Sequence, residues 1–87
     1  MNDEQSLDER VEVICRFNKA FQPCIPIKFK RTNGREVIVT ELGLRHPRQQ
    51  GVRIIHVFDV TDGQADYRLE FNSEQLVWRL TMEADHV

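Results

Sequence analysis

Residues 67–82 read YRLEFNSEQLVWRLTM. Tyr67, Leu69 and Phe71 alternate with Arg68 and Glu70. After Asn72, Ser73, Glu74 and Gln75 the alternation resumes, with Leu76, Trp78, Leu80 and Met82 set against Val77, Arg79 and Thr81. Successive side chains of a strand point to opposite faces, so a period of two marks a strand with one buried side. Two such runs across a short polar segment read as a hairpin. Tyr67, Leu69, Phe71, Leu76, Trp78, Leu80 and Met82 fall on one face, and burying each contributes roughly 1.5–3 kcal/mol. A chain of 87 residues has too little interior to leave such a face in water. The ribbon is expected to close an antiparallel meander, with this face in the core.

Upstream lies VRIIHVFDV, residues 52–60. Ile54, Phe58 and Val60 oppose Ile55 and Val57, so this strand is apolar on both sides and belongs inside a sheet. Thr61-Asp62-Gly63-Gln64 turns the chain into the ribbon. Further back, IKFKRTNGREVIVTEL (residues 27–42) carries Asn33-Gly34, which suits a two-residue type I′ turn. That turn sets Phe29 opposite Ile38, Ile27 opposite Thr40 and Ile25 opposite Leu42 on one apolar face. Lys30 with Val37 and Lys28 with Val39 form the other. Between these hairpins, residues 43–51 (GLRHPRQQG) read as a loop, with glycine at each end and a proline in the middle.

The N-terminal part leaves two readings open. Ser6 and Glu9 have capping-box spacing, so a helical turn is possible there. Val11, Val13, Cys15 and Phe17 alternate with charged and apolar neighbours and favour a strand over residues 11–17. A hairpin centred on Lys19 and Ala20 would set Cys15 opposite Cys24, near bridging distance. Pro23 and Pro26 belong at strand starts or edges. The expected fold is all-β: a single domain of five to six antiparallel strands, an SH3-like barrel or rolled sheet. Residues 9–82 form the β domain, 1–8 a flexible tail and 83–87 a second tail.

Composition narrows the classes. No apolar run approaches the roughly 20 residues of a membrane span. The acidic start MNDEQSLDER lacks the features of a signal peptide, which points to a cytoplasmic protein with reduced cysteines. Net charge is −2 but unevenly placed: residues 28–53 carry seven Lys/Arg against two Asp/Glu, while residues 54–87 carry two against seven. Either the basic segment is a binding surface, or acidic strands lie beside it and neutralise it.

Catalytic and metal signatures are weak. Cys15, Cys24, His46 and His56 lack the local Cys-x2-Cys or His-x3-His spacing of a zinc site. The four glycines are isolated turn residues rather than a phosphate-binding loop. Asp59, Asp62 and Asp66 lack calcium-loop spacing. No nucleophile motif surrounds a cysteine or serine. No enzymatic activity, metal or cofactor is expected.

The chain also shows a resemblance. Phe29-x4-Gly34-Arg35-x3-Val39-x-Glu41 is followed by residues 56–63 (HVFDVTDG), Tyr67-x-Leu69 and Trp78-Arg79-Leu80. This order resembles a family of small uncharacterised bacterial domains of unknown function. In that family a Phe-x3-Gly-Arg hairpin leads to an aromatic strand, a Tyr-x-Leu strand and a terminal Trp-x-Leu strand. The resemblance spans residues 11–82 and implies an all-β fold without implying a function. Leu44-Arg45-His46-Pro47 stands where the family pattern has tryptophans, so no binding role carries over to that segment.

Binding is the expected function. The first reading is a non-catalytic protein-interaction module, adding an edge strand to a partner's sheet or pairing with a second copy. The alternative is single-stranded DNA or RNA, held by Lys28, Lys30, Arg35, Arg45, Arg48 and Arg53.

Overall fold

The computed structural model describes residues 4–17 and 24–86. The expected hairpin centre at Lys19 and Ala20, and Pro23, lie outside these residues. Seven strands follow in order: β1 Gln5–Phe17, β2 Cys24–Lys30, β3 Glu36–Ile38, β4 Glu41–Gln50, β5 Arg53–Thr61, β6 Ala65–Asn72 and β7 Val77–Asp85. They form one curled antiparallel sheet in the order β3-β2-β1-β7-β6-β5-β4. Among the described residues 77% are strand and none is helical, so residues 7–17 are strand rather than helix.

The first and last strands pair, and that curls the sheet. The early part of β1, Gln5 to Val11, lies along β7, with Gln5 opposite Glu83. The later part, Glu12 to Phe17, lies along β2. At the other seam β3 runs into β4 through Val39 and Thr40. Val39 N–H donates to Ile27 C=O of β2 at 3.0 Å, and Thr40 N–H donates to Thr61 C=O of β5 at 2.9 Å. The strand thus changes partner within two residues.

The count is seven strands, not five to six, because of this kink and because residues 41–50 are strand where a loop was expected. The glycines there have other jobs. Gly43 sits in a bulge between Leu42 and Arg45, where an added Cβ would come within 3.2 Å of the Asp59 carbonyl oxygen. Gly51 opens a tight turn between Gln50 and Arg53 at φ 62°, the first central position of a type II′ turn, which wants glycine. Pro47 is tolerated because β4 is an edge strand. Both expected tails also shorten. Gln5 and Ser6 already pair with β7, and Glu83 to Asp85 continue it.

The expected register of the β2–β3 hairpin is off by one. Phe29 stands opposite Val37, and Lys28 opposite Ile38. Arg31 and Arg35 close the turn, with Arg31 N–H donating to Arg35 C=O at 2.8 Å, around Thr32, Asn33 and Gly34. A three-residue loop whose last residue is left-handed accommodates Asn-Gly as well as a two-residue turn does, and Gly34 is at φ 89°. A one-residue slip exchanges the faces of a strand. Val37 is therefore buried, and Ile38 lies outside beside Lys28.

Val11, Phe29, Val37, Phe58, Val60, Tyr67, Leu69 and Leu80 form the core. Phe29 and Tyr67 meet edge to face, with centroids 5.2 Å apart. Within the quoted ribbon the single apolar face splits. Tyr67, Leu69 and Leu80 are completely enclosed, whereas Phe71 and Trp78 are half-buried. The pairing skips Thr81 between Leu80 and Met82, which moves Met82 onto the outer face opposite Arg68. Leu76 belongs to the turn and is exposed. The outer face has its own apolar pair, since Ile55 and Val57 are buried apart from the core. Their register partners Arg48 and Glu70 lie across that face as an ion pair, with Nη2 to Oε1 2.6 Å.

Candidate functional site

The two ends of the curled sheet differ in chemistry. At the end where β1 begins, the Arg31 guanidinium is clamped by two carboxylates. Nη2 donates to Glu9 at 2.8 Å, Nη1 to Glu83 at 2.9 Å, and the Thr32 amide adds a bond to Glu9 at 3.1 Å. The Arg31 hydrogen bond holds the Glu9 carboxyl below its ordinary value, with burial opposing it and the Thr32 amide helping. The Tyr67 hydroxyl lies inside this end with no partner among the described residues. Asp62 accepts the amides of Gln64 and Ala65, both at 2.8 Å, and fixes the adjoining turn.

The opposite end is apolar and incompletely covered. His56, Phe71 and Trp78 are register partners across β5, β6 and β7 on the concave face. Phe71 and Trp78 have centroids 4.7 Å apart, Phe58 and Trp78 5.3 Å, and His56 and Phe71 6.4 Å. The Arg45 guanidinium lies 5.9 Å from the Phe58 ring centre, within cation–π range. Its Nη1 is shielded from solvent and has no hydrogen-bond partner among the described residues. On the flanking turns and at the start of β5, Val52 is 99% exposed, Leu76 75% and Ile54 53%.

The six basic residues of the candidate nucleic-acid surface do not converge. Lys28 pairs with Glu36 at 3.2 Å, Arg48 with Glu70 at 2.6 Å and Arg53 with Glu74 at 3.5 Å. Lys30 and Arg35 are exposed on the β2–β3 hairpin. Only Arg45 reaches the concave face. Acidic side chains of β3, β6 and the β6–β7 turn therefore pair with three of the six.

Cys15 and Cys24 are free thiols in contact with each other. The partner of Cys15 is Pro26 and that of Cys24 is Phe17, so the two cysteines sit diagonally rather than directly opposite as expected. Burial, with the neighbouring Cys24 adding to it, pushes the Cys15 thiol up to about 12. Among the described residues no group of three or more His, Cys, Asp or Glu is placed to hold a metal ion. No helix among them is long and apolar enough to cross a membrane. His86 is anchored, its Nδ1 2.7 Å from Asp66.

Sequence reasoning assigned the rings of the concave face to the core and did not single out His56 for binding. The available signal was the two-sided apolar character of residues 52–60, since a strand apolar on both sides can also present one side to a partner. Comparison of the chain with family models, curated proteins and solved structures finds no match.

Proposed function

We propose that this is a non-catalytic protein-interaction module whose contact surface is the apolar end of the curled sheet. The observation that carries the reading is Leu76, which is exposed and held at φ 59° beside the half-buried Trp78 and Phe71. A left-handed backbone destabilises a non-glycine residue by roughly 1–2 kcal/mol, and asparagine or glycine fits such a turn better. A strained leucine in water does nothing for the isolated domain. Strain at an exposed apolar residue supports a contact role. Val52 and Ile54 on the neighbouring hairpin extend the same surface.

A cytoplasmic setting and an SH3-like barrel belong to this proposal, as does membership of the small bacterial family. Support for the last comes from Phe29 and Tyr67, which carry the resemblance and sit together in the core. The test is partner capture with wild-type protein and with an Ile54→Ser/Leu76→Asn variant. The variant is expected to melt no lower than the wild type and to lose the captured protein. Equal capture by both would exclude this end as the contact surface.

One observation favours a second reading, the binding of single-stranded DNA or RNA. Arg45 lies against the ring slab, and single-strand binders combine cations with stacking rings. Phosphates would have to displace Glu36, Glu70 and Glu74 to engage Lys28, Arg48 and Arg53. Titration of a mixed-sequence oligonucleotide at low and moderate salt decides: binding that fades with salt supports this reading, and a silent spectrum removes it.

A further inference from the structure

We infer that the outer edge of β4 seats one extended segment of a partner protein, which pairs with it and presents a carboxylate to Arg45. This rests on the protein-interaction reading and specifies the partner. β4 is the last strand of the sheet and pairs only with β5 among the described residues, so a row of backbone groups along residues 41–50 faces outward. An open edge of this kind is a template for strand addition. β4 offers an edge of ten residues.

Charge selects the occupant. Between Leu42 and Gln50 the edge carries Arg45, His46 and Arg48 and no acid. A second copy docking edge to edge about a twofold axis would set one basic stretch against the other and bring Arg45 no acid. Like charges directly opposite are unfavourable in a ladder. An acidic segment from another protein meets no such penalty. Arg45 also has an idle donor: its shielded Nη1 finds no acceptor, while its guanidinium is braced on Phe58. A carboxylate arriving there forms a charge-assisted hydrogen bond in a partly dry setting, where such bonds are stronger. Pro47 supplies no donor, so the added strand bonds to the stretches on either side of it. Residues alternating with the acids would lie on the outer face, the side of Arg48.

The experiment uses the labelled full chain and short blocked peptides alternating threonine with glutamate, together with lysine counterparts and a glutamate version broken by a central proline. The glutamate peptide is expected to shift the amide signals of residues 42–50 and to change Trp78 fluorescence. The lysine peptide should bind about tenfold more weakly or not at all, and the proline-broken peptide should fail. Arg45→Gln should lose about tenfold in affinity for the glutamate peptide with no change in melting temperature. Equal binding of glutamate and lysine peptides would overturn the acidic partner while leaving the interaction reading intact. Shifts that miss β4, or dimerisation through β4 without peptide, would overturn the seat. Silence toward every peptide would overturn the proposal outright, and the capture experiment at the apolar end would then decide the broader reading alone.

Discussion

The two ends of this sheet solve the same problem differently. Both must finish a curled sheet whose interior is apolar. One end does so with an arginine held between Glu9 and Glu83, side chains contributed by the first and last strands. The other ends in a slab of rings with exposed aliphatic side chains around it. The ionic end pairs its charges, whereas the apolar end leaves its rings half-buried. On the function proposed above, stability belongs to one end and recognition to the other.

That contrast can be tested by the size of substitution effects. Leu80 is fully enclosed, and Leu80→Ala should destabilise by about 3–5 kcal/mol, near the whole stability of a domain this small. The half-buried Trp78 should lose about 2 kcal/mol as alanine and leave a folded protein. Urea unfolding measures both, and equal losses would mean that the ring slab is ordinary core.

Arg31→Ala should cost about 2 kcal/mol, because it leaves Glu9 and Glu83 facing each other in a partly dry site. The clamp also sets an acid response. Unfolded, Glu9 titrates near 4.5, and in the fold it titrates lower. The stabilisation is therefore complete above pH 4.5 and is lost as pH falls through the folded value. Wild-type urea midpoints should fall more steeply below that pH than those of Glu9→Gln, and parallel curves would show that the clamp adds nothing.

Leu76→Gly should raise stability by about 0.5–1 kcal/mol, since relief of the left-handed strain exceeds the entropy that glycine loses. A fall on thermal unfolding would mean that Leu76 supports the turn. The smallest effect concerns reactivity. With its thiol pushed up to about 12, Cys15 should resist alkylation at pH 8 in the folded protein and react readily in urea. Mass spectrometry of digested samples reads the difference, and fast labelling in the fold would contradict the buried setting of Cys15.

The local hairpins were legible in the sequence, since β5 is a dense apolar run, β6 and the start of β7 alternate, and their turns carry Asp62-Gly63 and Asn72. Other features have no short-range signature. Asn33-Gly34 fits loops of two lengths, and the choice between them flips β3. Gly43 and Gly51 read as loop punctuation, yet one lies in a bulge and the other in a tight turn of a continuous ribbon. The skipped Thr81 that turns Met82 outward depends on how β7 matches β6. Of the candidate site, the basic residues were legible but their neutralisation was not, because Glu70 and Glu74 lie about twenty residues away in the chain. The ring slab was legible as apolar. Its incomplete cover follows from where the sheet stops.

The pairing of β1 with β7 has a kinetic consequence. Every other pairing in this sheet joins consecutive strands and closes over a short loop, whereas Gln5 meets Glu83 across nearly the whole chain. Closing so long a loop costs entropy before any contact repays it. The hairpins should therefore assemble first and the first strand should find the last one late. Substitutions in the Arg31 clamp would then speed unfolding while barely slowing folding. During synthesis, the first strand would wait with that edge unpaired until β7 leaves the ribosome.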